Sequence, residues 1–255
     1  MCLIAWRWHP DESDALVLVS NRDEFFDRPT EAARQWSGTQ MWAGKDQRAG
    51  GTWLGVTNSG RFAAITNYRT PDTANASAAS RGHLVAQFLT SDLSSQAFMA
   101  ELVNTFGAYN PFNLTVYDGA TLQGFEGRGS VHRVVHLVPG FGGVSNADFN
   151  TPWFKQARLQ TDLEQLLASA SCTDDALLDL LLNDQVAPLD QLPKTGIPFD
   201  RELALSAPFV SMGHYGTRAS SLVRIRQNVV EFTERGFDKQ SMTHQTRHVI
   251  QRASG

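Results

Sequence analysis

The sequence has little cysteine, no block of like charge and no long apolar run. Only Cys2 and Cys172 are present, which suits a reducing compartment better than a disulfide scaffold. The net charge of -4 is spread along the chain, so there is no electrostatic footprint for nucleic acid or an anionic membrane. No apolar stretch approaches the length of a transmembrane helix. Arg7, His9, Asp11 and Glu12 interrupt the early apolar run, which argues against a secretory signal. Position 2, where N-myristoylation needs Gly, holds Cys2. The expectation is a cytoplasmic protein.

Metal and nucleotide signatures are also missing. His132 and His136 share a strand face and His244 and His248 a helix face, but neither pair has a matching carboxylate or Cys nearby in sequence. Gly50–Gly55 and Gly140–Gly143 have neither dinucleotide nor Walker spacing and read as turns. There is no Gly-x-Ser-x-Gly elbow. No metal and no cofactor is expected.

What is there is a chain of 255 residues, 42% apolar, enough for a substantial core in one domain spanning 1–255. Cys2–Trp8 and Ala15–Val19 read as strands around the turn His9–Asp14. Thr52–Thr57 and Arg61–Thr66 form a hairpin through Asn58-Ser59-Gly60, after an irregular loop flanked by Gly44-Lys45-Asp46 and Gly50-Gly51. Thr70–Ala79 is a polar loop and a candidate pocket rim. Ser80 and Ser94 are candidate caps of two helices, which are followed by a meander, 112–117, 122–126 and 131–138. Pro152–Ala170 and Thr173–Leu182 read as helices, 209–212, 217–226 and 229–233 as strands, and the polar tail from Lys239 as helical. The order strands, helices, strands, helices, strands excludes a regular βαβ alternation. It predicts an α+β fold of two mainly antiparallel sheets packed together with helices outside.

Cys2 follows the initiator Met, and Met is usually trimmed before a small residue. A chain beginning at Cys2 would carry a thiol and a free α-amine on one residue, with reference pKa values of about 8.5 and 7.7–8.0. A nucleophile and a base would then be adjacent. A lone Cys in an apolar strand is usually just a small buried hydrophobe. The cluster Ser20-Asn21-Arg22-Asp23-Glu24 at the next strand end adds weight, since such groups are costly to bury without a purpose. Along that strand Asn21 and Asp23 share one face and Arg22 takes the other. Asn67, Asn146 and Arg218 are further polar residues at strand ends. An Asn amide suits an oxyanion donor, although any one Asn equally suits a turn.

These residues resemble a known family. Met1-Cys2-Leu3-Ile4, Ser20–Phe25, Gly50–Gly55, Gly60–Arg69, Ser80-Arg81-Gly82, Gly143–Asn146 and Tyr215–Arg218 are similar, in order, to motifs of the NRDE family, also called the transport and Golgi organisation protein 2 family. That family resembles the Cys-type N-terminal-nucleophile hydrolases. The resemblance implies a four-layer αββα sandwich, Cys2 as nucleophile, and Asp23 in contact with the nucleophile region. It further implies that Asn67 helps form the oxyanion hole and that Asn146 orients the N-terminus. Asn21, Arg22 and Arg218 are the expected substrate contacts. The function expected is hydrolysis or acyl transfer at a C–N amide or other acyl bond of a small molecule. The rival expectation, from the many aromatics and from what is associated with eukaryotic relatives, is a non-catalytic carrier or chaperone of an acyl-lipid or haem-like ligand.

Overall fold

The computed structural model describes residues 2–71 and 74–252. The trimming of Met1, part of the polar loop and the last residues of the tail lie outside them. In chain order the first elements are β1 (Cys2–Trp8), β2 (Asp14–Phe25), β3 (Thr30–Gln35), β4 (Met41–Asp46), β5 (Leu54–Thr57), β6 (Phe62–Asn67), α1 (Gly82–Thr90) and α2 (Ser95–Leu102). Then come β7 (Phe112–Tyr117), β8 (Leu122–Arg128), β9 (Val131–His136), β10 (Gly140–Val144), α3 (Phe154–Leu167), α4 (Asp174–Asp179) and α5 (Phe199–Ala204). The chain finishes with β11 (Ser211–Met212), β12 (Tyr215–Arg226), β13 (Val229–Asp238) and β14 (Ser241–Gln251).

The strands form two antiparallel sheets. One runs β10-β1-β2-β12-β13-β14, with β11 paired to β12; the other is the meander β3-β4-β5-β6-β7-β8-β9. Side chains alternate along a strand, so each sheet offers two apolar faces. In β1, Ile4, Trp6 and Trp8 join Leu16, Leu18 and Val223 against Val56, Phe62, Ala64 and Tyr117 of the other sheet. Leu3 and Ala5 point the opposite way and pack with Val17, Val19 and Leu222 beneath Leu159 and Leu163 of α3 and Leu177 and Leu178 of α4. On the far side, Ala63, Ile65, Leu114 and Val116 pack beneath Val85 and Phe88 of α1 and Met99 and Leu102 of α2. Three apolar interfaces between four layers make the fold an αββα sandwich, α+β in class.

Two local readings need correction. The tail is not helical: β14 pairs with β13 over Ser241–Asp238 to Gln251–Val229, and its alternating exposure is that of an edge strand. His244 and His248 therefore share a strand face, and the His248 ring bonds the Ala33 carbonyl at 2.8 Å. The loop after Asp46 follows two strands that the sequence pattern leaves unassigned, β3 and β4, and Glu31, Arg34 and Gln35 of β3 lie along a sheet edge. Gly140–Gly143 is strand β10, not a turn. Gly142 lies so close under Trp6 that an added Cβ would stand 2.6 Å from the indole, so close packing, rather than a change of chain direction, calls for glycine here.

Candidate active site

Pairing in β1 and β2 sets the centre of the site. Cys2 lies opposite Arg22 in an antiparallel ladder, so their side chains leave the same face. Cys2 is 9% exposed and forms part of the wall of a cavity of about 400 Å³. Arg22, Asp23, Glu24, Arg28, Asp46, Trp53, Asn67 and Arg81 also line it. Burial pushes the Cys2 thiol above its ordinary pKa; Asp23 and Glu24 push the same way and Arg22 opposes them. An anionic thiolate therefore needs a proton acceptor close at hand.

The surrounding charges are largely paired. The Arg22 guanidinium stacks on Trp53 at 4.3 Å, donates to Thr30 Oγ1 at 3.3 Å and lies 3.7 Å from Asp46. Asp46 also accepts from Arg28 Nε at 2.7 Å. Asp23 accepts at Oδ1 from Thr217 Oγ1 at 2.8 Å, and its carbonyl accepts from the Tyr215 hydroxyl at 3.0 Å. The Tyr215 phenol is buried, which raises its pKa well above the usual value, so it stays a donor.

Asn67 comes from the other sheet. It ends β6 on the cavity wall, and its carbonyl accepts from the Asn146 side-chain amide at 2.8 Å. Two further bonds, from Thr66 and Asn113, tie this sheet to the segment after β10, and a third joins those two residues to each other. The Ser145 carbonyl accepts from Thr66 Oγ1 at 2.5 Å, and Asn113 Nδ2 donates to Thr66 Oγ1 at 3.0 Å and to the Ala147 carbonyl at 2.9 Å. Ser145 Oγ donates to the Cys2 carbonyl at 3.3 Å. Asn146 itself is fully buried, behind the cavity wall rather than on it.

Asn21 and Arg218 are not brought to the cavity. Alternation in β2 turns Asn21 toward the helical layer, where it donates to the Leu181 and Pro208 carbonyls at 2.8 and 2.9 Å and accepts from Ser220. Arg218 sits at a β-bulge, where β12 slips register against β2 between Thr217 and Ala219. From there it caps the Phe25 and Phe26 carbonyls, both at 2.8 Å. Sequence reasoning missed Lys155, which is 1% exposed in the first turn of α3 and donates to Asn146 Oδ1 at 3.4 Å. It also missed the ion pair of Arg69 with Glu202, buried beside Trp153. A polar residue in the first turn of an amphipathic helix gives no signal of burial by itself.

The family model "Transport and Golgi organisation 2" matches residues 1–239. The chain belongs to that family. It is similar to the Transport and Golgi organization protein 2 homolog of Bos taurus, at 36% identity over 92% of each chain. It is 33% identical to the homolog of Mus musculus, covering 96% of this chain and 97% of the other. The Drosophila melanogaster protein is 26% identical over 88% and 87%. Among solved structures it is similar to a Caenorhabditis elegans N-acylethanolamine-hydrolyzing acid amidase ortholog, with a TM-score of 0.47 at 12% identity over 87% of this chain and 92% of that one. It is also similar to a mutant conjugated bile acid hydrolase of Clostridium perfringens, with a TM-score of 0.47 at 10% identity over 100% and 97%.

Proposed function

We propose that this family member is an N-terminal-nucleophile enzyme that hydrolyses or transfers the acyl group of a small polar substrate held by a C–N amide or related acyl bond. The observation that carries the reading is the meeting of Cys2, Asp23 and Asn67 on one cavity, with Asn146 bonded directly behind Asn67. In a chain that begins at Cys2, the thiol proton passes to the α-amine, directly or through a water. The sulfur bonds to the acyl carbon, and the carbonyl electron pair moves onto oxygen. The Asn67 amide and a backbone N–H are the donors for that oxyanion; losing one such donor costs about 2.7–4 kcal/mol of barrier. The intermediate collapses, the C–N bond breaks, and the leaving amine takes the proton. Water or a second amine then attacks the thioester, giving acid or transferred acyl product and restoring the thiol. Asp23 and Asn146 hold the amine end of Cys2.

The charged lining, Arg22, Arg28 and Arg81 with Asp23, Glu24 and Asp46, favours a polar substrate over the lipid or haem-like ligand of a carrier. The test is an intact-mass spectrum before and after brief exposure to dilute activated acyl donors, with peptide mapping. Loss of Met1 with fast acylation of Cys2 over Cys172 is expected. Retained Met1, or no preference for Cys2, would sink the reading, and binding of acyl-CoA and haem would then be measured.

A further inference from the structure

Lys155 is placed against two opposing effects. It is almost wholly buried, and it occupies the first turn of α3, where the helix dipole disfavours a cation. Its one hydrogen bond among the described residues goes to the neutral Asn146 Oδ1, and no carboxylate there approaches to ion-pair distance. The charges around it come from four other elements: Asp23 at the end of β2, Cys2 of β1, Arg69 after β6 and Glu202 of α5. Around Cys2 itself stand Asp23, Arg22 and Glu24, and Tyr215 faces the same groups.

Strand register shows what lies beside this ammonium. Ile4 pairs with Val144, so continuing β1 and β10 by two residues brings Cys2 beside Asn146. The bond from Ser145 Oγ to the Cys2 carbonyl fits that continuation. On the other flank Cys2 pairs with Arg22, and Asp23 is the next residue along β2. The amine of a chain that begins at Cys2 therefore emerges between Asp23 and Asn146, on the side where Lys155 reaches Asn146.

We infer that Lys155 is a positioning residue whose ammonium, held on Asn146, keeps the α-amine of Cys2 in its neutral, proton-accepting form by repelling a second positive charge there. The inference rests on the reading of Cys2 as a chain-terminal nucleophile. Two ammonium groups in one buried space repel, and the weaker base gives up its proton first. The α-amine is intrinsically the weaker, at about 7.7–8.0 against about 10.4 for a lysine. Burial, and then Arg69, lower Lys155 to about 8, so near neutrality it keeps its proton while its own charge presses the neighbouring amine to lose one.

The test reads the amine directly. Cysteine labelled with carbon-13 at the β-carbon reports from only Cys2 and Cys172, and the Cys2 signal follows ionisation of its amine. The full-length protein, shown by intact mass to begin at Cys2, is titrated as wild type, Lys155→Met and Lys155→Arg. The amine midpoint should rise by about one unit or more in Lys155→Met, which removes the charge, and stay at or below wild type in Lys155→Arg, which keeps it. An unchanged midpoint in folded Lys155→Met overturns the inference. If Lys155→Met does not fold, Lys155→Arg decides: a raised midpoint overturns the inference, and an unchanged or lowered one supports it. A chain that keeps Met1 has no Cys2 amine and overturns it too. No substrate is needed, so a Cys2 that titrates as expected but takes no acyl group condemns only the acyl-transfer reading.

Discussion

The Asn146 side chain bridges the two sheets by donating its amide to the Asn67 carbonyl over 2.8 Å while its oxygen accepts from Lys155 at 3.4 Å. One side chain thus fixes the end of β6 and holds the buried ammonium. Asn146→Ala strands both partners. Leaving a buried polar group unpaired costs about 1–3 kcal/mol. Urea unfolding should show a loss of that order, and Cys2 acylation should slow because the end of β6 is no longer held.

The two cysteines should separate cleanly. Cys2→Ala is expected to abolish acylation and turnover. Cys172→Ala should leave both intact, because Cys172 is partly buried against the core beneath α3 and α4, within 4.0 Å of Arg224, and does not line the cavity. Timed intact-mass spectra of the two variants check this.

Arg69 and Glu202 form a buried ion pair, with Thr195 Oγ1 donating to the second Glu202 oxygen at 2.6 Å. Removing one partner from such a pair costs about 3–5 kcal/mol, because the other charge is left buried alone. Glu202→Ala should show a loss of that size in denaturant titration. The double variant Arg69→Met with Glu202→Leu should recover much of it, and equal losses in both would contradict the account.

Lys155 gives stability a pH dependence of defined sign. Its pKa is lowered on folding from 10.5 to about 8, so between those values the unfolded chain binds more protons and stability rises with pH. Below about 8 the ammonium is buried charged, at a cost on the order of 3 kcal/mol relative to its neutral form. Relative to wild type, Lys155→Met should therefore be most stabilised below pH 8, with the difference shrinking toward pH 10.5. Parallel urea curves across that range measure it.

Close packing of β10 on β1 predicts the effect of a single methyl group. In Gly142→Ala the new Cβ would stand 2.6 Å from Trp6, itself 1% exposed. Overpacking of this kind costs about 1–3 kcal/mol. A lower Tm with unchanged unfolding cooperativity is the expected outcome.

Much of the fold is legible because its signals are local. Alternation in β1 separates Leu3 and Ala5 from Ile4 and Trp6, and those two sets do face different layers. Ser94 does cap α2, accepting from the Ala97 N–H at 3.1 Å. The failures share a cause. β14 and β10 are strands whose identity depends on what lies against them: solvent at an edge for the first, an indole for the second. Composition at such positions resembles tail or turn.

At the site, the sequence by itself determined that Cys2 directly follows Met1, that a charged cluster ends the next strand, and that the motifs follow the family order. It could not say that Arg22, rather than Asn21, shares a face with Cys2, because that depends on the pairing of β1 with β2. Nor could it bring Asn67 from another sheet to Cys2, or Asn146 and Lys155 from more than half the chain away. Those meetings come from packing two sheets through one core, held locally by the bonds of Thr66 to Ser145 and of Asn113 to Ala147. The basicity of Lys155 belongs to the tertiary structure too, because a proton's affinity depends on the water and charges around it, and only folding removes the one and assembles the other.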